Sequence, residues 1–396
     1  EGAGLAPRER AFAHTLVAST LRRLGEIDVL IARFLKEPFA GLAPDARALL
    51  RLGTTQSLIL KTPAHAAVAA TVDVAKAEAP HFSGLTNAVL RRVAQESPFG
   101  AVDAAGARLN TPDWLWRSWT AAYGEETAMR IAAAHTHEPP LDITAKEPER
   151  WAEALGAQLL PTGTLRRPAG ASEEIRALPG YQEGAWWVQD AAAAMPARLL
   201  APVAGGRVLD LCAAPGGKAA QLAAMGCRVT AVERSEPRAE LLRENLDRLG
   251  LATDVVDTDA ETFKTTEPVD GVLLDAPCTA TGTIRRHPDI PWRKSVLDVT
   301  RMTLPQTRLL DHAATLVRPK GILVYAVCSL EPAEGPARIE DFLSRNDGFR
   351  RRPISADEIG GDPALVTADG DLRTLPCHWA ERGGLDGFYA ARLERL

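Results

Sequence analysis

The sequence predicts a multidomain chain whose C-terminal half, residues 186–396, is a doubly wound α/β domain, behind an all-α bundle over 1–138 and a small α+β connector over 139–185. Three observations carry that reading. From Val208 onward short apolar runs alternate with amphipathic helical segments, as strands and covering helices do in a mostly parallel sheet. The run Val208-Leu209-Asp210-Leu211 leads into small residues, a proline, two glycines and Lys218, which reads as a buried strand, a tight turn and a helix. Over residues 8–96 the apolar positions instead recur at helical spacing: Leu16, Leu21 and Leu24, then Val29, Leu30 and Phe34, then Leu49, Leu50 and Leu52.

At 396 residues the chain can bury two or three cores, and its 46% hydrophobic content is ordinary for a globular protein. No apolar segment approaches the roughly 20 residues that cross a bilayer. The first residues lack the charged-then-apolar layout of a signal peptide, so a cytoplasmic protein with no membrane partner is expected. The five cysteines include no Cys-x-x-Cys pair, which points away from a disulfide framework and from a metal site. A net charge of -5 gives no overall pull on nucleic acid, so any RNA contact must come from local basic clusters.

Taken in order, Pro38, Pro44 and Pro63 fall where the helices of the bundle would be joined or started. The string Leu85-Thr86-Asn87-Ala88-Val89-Leu90-Arg91-Arg92 is an amphipathic turn with a basic end, and its two arginines alone read as a solvated face. Trp114, Trp116 and Trp119 share the next helix, where packing is the expected job and base stacking the alternative. From 139 to about 184 proline and glycine break the chain into short segments, with Arg166 and Arg167 as the dense positive feature. Trp187-Val188-Gln189-Asp190 opens an alanine-rich helix over 191–200. After the Gly216-Gly217 turn come a helix over 219–225 and a strand ending at Glu233. The next helix, from about 237 to 248, takes Leu241, Leu242, Leu246 and Leu249 as its apolar face, and strands follow over 255–259, 271–275, 321–327 and 387–393.

Four successive strands exit at an acid, Asp210, Glu233, Asp259 and Asp275, and Cys328 closes the fifth. Any one of these acids could cap a helix or sit in a loop. In an open parallel sheet, however, strand exits line one crevice, so the scattered residues converge. Lys218 is followed by Ala219 and not by Ser or Thr, which excludes a Walker phosphate loop. Glu233 stands where such folds present a carboxylate to a ribose diol, and the turn is expected to seat a nucleoside-bearing cofactor. Cys278 and Cys328 lie just past buried strands on that same edge, whereas Cys227 and Cys377 read as inert apolar residues and Cys212 as backbone of the seat.

A thiolate, an acid and a nucleoside cofactor without a catalytic histidine suit one reaction. Addition of a thiolate to carbon 6 of a pyrimidine makes carbon 5 nucleophilic enough to take a methyl group from S-adenosylmethionine. An acid steadies the N3 and exocyclic-amine edge, and loss of the carbon 5 proton lets the thiol leave.

The motifs Asp210-Leu-Cys-Ala-Ala-Pro-Gly-Gly-Lys218, Asp275-Ala-Pro-Cys278 with Gly282 and Arg285-Arg286-His287-Pro288-Asp289-Ile290, and Tyr325-Ala-Val-Cys-Ser329 resemble those of the RNA 5-methylcytosine methyltransferases of the Nop2/Sun family. The Asn-Ala-Val-Leu-Arg-Arg string resembles the helical domain of the antitermination factor NusB, so the likeness covers nearly the whole chain. It implies a Rossmann-like catalytic domain, S-adenosylmethionine as cofactor, and carbon 5 of one cytosine in 16S ribosomal RNA as target. Naked RNA or an early subunit precursor is the implied substrate, met by a monomer, with no metal. The resemblance makes Cys328 the nucleophile, Cys278 the thiol that assists release, and Asp275 the group touching both the cytosine edge and the cofactor. It assigns the cofactor to Cys212, Ala213, Ala214, Pro215, Gly216, Gly217, Lys218, Glu233, Asp259 and Asp275. Arg285, Arg286 and His287, with Arg293 and Lys294, are expected to form a local positive patch for RNA, and Arg91 and Arg92 a second contact. Against the family pattern, Glu233 replaces an aspartate, Thr279 a serine, Val327 a threonine and Gly335 an asparagine. A non-catalytic RNA-binding assembly factor and a transfer RNA methyltransferase are the alternatives, and a scaffold has no use for two such thiols.

Overall fold

The structure, a computed structural model, describes residues 4–170 and 173–396. It divides into two compact units, one running to His137 and including His287–Arg293, the other formed by Glu138–Arg286 and Lys294–Leu396.

The first unit is helical. Pro44 occupies the first turn of Pro44–Thr54, and Pro63 immediately precedes Ala64–Glu78, where its missing N–H costs nothing. Ile27, Ile31, Leu50, Leu58, Leu90 and Val93 form the core between Leu24–Ala32, Pro44–Thr54 and Ser83–Val93. Val29, read from the sequence as part of the apolar face, is half-exposed; the helical period that buries Ile27, Leu30 and Ile31 turns it outward. Of the tryptophans on Asp113–Tyr123, Trp119 is buried with its ring 5.3 Å from that of His135, and the Arg108 guanidinium lies 5.0 Å over Trp116. In the same unit the Trp292 indole donates to the Leu21 carbonyl at 3.0 Å.

In the second unit, four short strands make an antiparallel sheet in the order Gln158–Leu159, Leu165–Arg167, Leu141–Ala145, Trp186–Val188. The fourth strand lies beyond the expected boundary at 185, yet it pairs with Leu141–Ala145 and closes the connector. Arg166, the connector's expected positive feature, is buried and clamped by both oxygens of Asp142 at 2.7 and 2.6 Å, so it offers no free charge.

The larger sheet runs Phe349–Arg351, Phe388–Arg395, Val317–Val327, Val269–Asp275, Arg207–Leu211, Arg228–Glu233, Asp254–Asp257. The last five in that order are mutually parallel, while Phe388–Arg395 enters antiparallel beside Val317–Val327 and also pairs with Leu372–Thr374. Alternate strand residues feed separate cores. Val208, Leu273 and Val324 pack with Ala191–Arg198, Gly217–Ala224 and Glu236–Leu249, whereas Leu209, Leu274 and Tyr325 pack with Val296–Leu316 and Pro336–Arg345. Leu241 is a correction to the expected apolar face: Ala239, Leu242, Leu246 and Leu249 are buried at true helical spacing, and Leu241 is exposed. Strand order reverses between Arg207–Leu211 and Val269–Asp275, which opens a crevice at their carboxyl ends. Among the described residues no helix is long and apolar enough to cross a membrane.

Candidate active site

The turn after Arg207–Leu211 sits at that crevice. Cys212 and Gly216 have φ of +63° and +107°, and a Cβ on Gly216 would stand 2.5 Å from Leu242 Cδ1, so only glycine fits there. The turn's carbonyls are held from the helix Glu236–Leu249: Arg238 donates to the Ala214 oxygen at 2.7 Å and Asn245 to the Pro215 oxygen at 2.9 Å. Sequence reading missed both, because polar residues on a helix look like surface. Burial, then the charges of Asp275, Glu233 and Asp210, push the Cys212 thiol up to about 12, so it keeps its proton.

The acids around the turn carry unused acceptors. Glu233 is buried; its Oε1 accepts from the Ser235 N–H at 3.0 Å, and among the described residues its Oε2 has only the Arg238 guanidinium at 3.5 Å and no hydrogen bond. Asp259 accepts from the Glu261 N–H at 2.9 Å and is partly exposed. Asp210 is buried, and neither carboxylate oxygen has a hydrogen-bond partner among the described residues. Orphaned acceptors beside a turn with little side chain fit the hydroxyl and amine donors of a nucleoside.

Burial raises the Asp210 carboxyl to about 8, with Asp275 adding to the rise and Lys218 opposing it. The folded chain therefore holds a proton that the unfolded chain has lost, and the contribution of Asp210 to stability falls as pH rises from the ordinary aspartate value toward about 8. The Asp210→Asn protein should lose less melting temperature than the parent between pH 6 and pH 9. Parallel melting curves over that range would refute the buried acid.

The two thiols converge. Val269–Asp275 and Val317–Val327 are parallel neighbours with Asp275 opposite Ala326, so the loops that carry Cys278 and Cys328 leave the sheet side by side. Their sulfur atoms are 3.4 Å apart. Gly282 locks the loops together: its N–H donates to the Cys328 carbonyl at 3.0 Å, and its own carbonyl accepts from the Gly387 N–H at 2.8 Å. A Cβ at Gly282 would fall 1.9 Å from the Gly387 oxygen. The hydrogen bond with Cys328, then burial, raise the Cys278 thiol well above its ordinary value, so Cys278 keeps its proton. The Lys218 ammonium donates to Asp275 Oδ2 at 2.7 Å. Burial pulls Lys218 down, but Asp275 outweighs it, with Asp210 and Cys328 adding to the rise. Lys218 is thus a charged partner of Asp275.

The expected RNA patch needs correction. Arg285 is buried, bonded to Asp386 Oδ1 at 3.2 and 3.1 Å and to the Gly383 carbonyl at 2.7 Å. Arg286 reaches Asp190 Oδ2 at 2.6 Å and Asp386 Oδ2 at 2.9 Å. Burial alone would raise Asp190, yet the two guanidiniums hold it down to about 2. Removing one partner of such a pair costs about 3–5 kcal/mol, which marks a structural tie. His287, Arg293, Arg91 and Arg92 are exposed, with Arg293 paired to Asp289 at 3.2 Å and Arg92 lying 4.9 Å over the Phe34 ring. Among the described residues no cluster of histidines, cysteines and acids could hold a metal ion.

Residues 197–394 match the family profile described as 16S rRNA methyltransferase RsmB/F, and residues 1–95 match that of the NusB family. The chain is 36% identical to the ribosomal RNA small subunit methyltransferase B of Pseudomonas syringae pv. tomato, covering 98% of this chain and 90% of the relative. It is 38% identical to the protein of that name from Thermus thermophilus, covering 98% and 89%. Among solved structures, PH0851 has a TM-score of 0.79 at 24% identity, over all of this chain and 92% of that one, and shares the fold. A methyltransferase homologue from Pyrococcus horikoshii has a TM-score of 0.59 at 26% identity, over 71% and 94%.

Proposed function

The chain belongs to the 16S rRNA methyltransferase RsmB/F family, and we propose that it methylates carbon 5 of one cytosine in 16S ribosomal RNA through a transient bond between Cys328 and carbon 6. The observation that carries this reading is the pair of thiols 3.4 Å apart on the sheet edge that also bears the orphaned acceptors of the turn. S-adenosylmethionine, when bound, supplies the electrophilic methyl group that carbon 5 takes up. Its residues would be the backbone from Cys212 to Gly217 and the carboxylates of Glu233, Asp259 and Asp275.

The chain's own work is to activate the ring and then free it. Cys328 Sγ adds as thiolate to carbon 6, and the electron pair of the carbon 5–carbon 6 double bond moves to carbon 5. Asp275, fixed by Lys218, accepts from the cytosine's exocyclic amine and orients the ring, and the Lys218 ammonium beside it offsets the negative charge that develops there. After methyl transfer a base takes the carbon 5 proton, the double bond re-forms, and the Cys328–carbon 6 bond breaks. Cys278, still protonated, then gives its proton to the departing sulfur. Arg293, Arg91 and Arg92 supply local positive charge for the RNA phosphates on a protein whose net charge is -5, and His287 adds an exposed polar contact. The target base has to be unstacked to reach the thiols.

Incubation of the protein with methyl-labelled S-adenosylmethionine and a 16S transcript, followed by nuclease digestion and mass spectrometry, should return label as 5-methylcytosine at one position. Label on another atom, or on transfer RNA alone, would overturn the assignment, and no label at all would leave a binding factor.

A further inference from the structure

Each thiol is followed in sequence by a hydroxyl residue, Thr279 after Cys278 and Ser329 after Cys328. Both hydroxyls donate to one oxygen, Oε2 of Glu334. The other oxygen, Oε1, accepts from the Thr279 N–H at 2.9 Å and from Gln306 Nε2 at 3.1 Å. Glu334, Ser329, Gln306 and Tyr325 are completely buried, and Thr279 is nearly so. The glutamate's own backbone is pinned as well, because the Tyr325 hydroxyl donates to its carbonyl at 2.6 Å from the strand that ends one residue before Cys328.

We infer that Glu334 is a positioning residue that sets the spacing of the two thiols by clamping the residue that follows each of them. A carboxylate offers about four lone-pair sites, and these four donors fill them, so Glu334 has nothing left for a substrate. A charged acceptor strengthens each bond, and burial makes its loss expensive, since the donors would be stranded without water. The clamp also suits the residue after it: a Cβ on Gly335 would stand 3.0 Å from both Tyr389 Cγ and Arg373 Nη2, so the chain passes the glutamate too tightly for a side chain to be added freely. Release of the methylated base needs Cys278 to reach the sulfur of Cys328, and a clamp common to both loops is what keeps the pair at 3.4 Å. The kinetic side of this inference rests on the chemistry proposed above; the spacing itself does not.

Two measurements on Glu334→Gln test it. The first uses protein alone: diamide takes one hydrogen from each thiol, is reduced to its hydrazine, and leaves a bond between the Cys278 and Cys328 sulfurs, scored by mass spectrometry of the linked peptides. The parent should link rapidly and Glu334→Gln at least fivefold more slowly. The second is steady-state methylation, where kcat should fall at least tenfold while KM for RNA stays within twofold, a split that general loss of structure would not give. Thr279→Val and Ser329→Ala each remove one arm of the clamp and should fall between the parent and Glu334→Gln. They decide the matter if the glutamate variant does not fold. Parental linking and turnover in a folded Glu334→Gln protein, or in both hydroxyl variants, would overturn the clamp. A parent that links its thiols but transfers no methyl group would overturn the proposed function and leave the linking comparison to judge the clamp.

Discussion

Cys328→Ala should abolish methyl transfer, with kcat falling by about ten-thousand-fold or more. Carbon 5 of cytosine does not attack an electrophile at a useful rate until a nucleophile has added at carbon 6. The other thiol, Cys278, loses its hydrogen bond with Cys328 in this variant, but its burial still holds the thiol above its ordinary value and makes it a poor substitute. The variant should still fold, since Cys328 packs only at the margin of a core, and it should still bind S-adenosylmethionine, since the turn and its acids are untouched. Label transfer to RNA under single-turnover conditions, beside cofactor binding by calorimetry, separates the two effects. Methylation at more than about a tenth of the parental rate would remove Cys328 from the role of nucleophile.

The doubly wound half was legible because its strands are short, apolar and punctuated. The run Val272-Leu273-Leu274 could only be a strand covered on both faces, and it is buried in the centre of the sheet. The convergence of the two cysteines was legible for the same reason, since strand exits on one edge of a parallel sheet must meet. Pairing with a distant segment was not. Phe388–Arg395 reads as a strand in isolation, but nothing local says that it enters antiparallel beside Val317–Val327. The arginines misled for a related reason. Arg285-Arg286 in a loop looks like free charge until Asp190 and Asp386, far away in sequence, are brought against it. Glu334 carried no pattern at all, because its partners are defined only once two loops have folded around it.

Cys278→Ala should trap the reaction partway, leaving protein bonded to RNA through Cys328 in a form that survives denaturing electrophoresis. The adduct forms by attack at carbon 6, which does not use Cys278, so its formation should be little affected. Its decay is another matter. When the carbon 5 proton is lost, the departing sulfur develops negative charge in a partly buried site, and Cys278 holds a proton on a sulfur 3.4 Å away. A single well-placed acid of this kind contributes about a hundredfold to ten-thousand-fold, so multiple turnover should fall by at least about a hundredfold while the adduct accumulates. Cys278→Ala combined with Cys328→Ala should show no adduct, which ties the bond to Cys328. Rapid turnover by Cys278→Ala without any adduct would refute the release role. It would also mean that a donor other than the neighbouring thiol supplies the proton, and the close approach of the two sulfurs would then need another explanation.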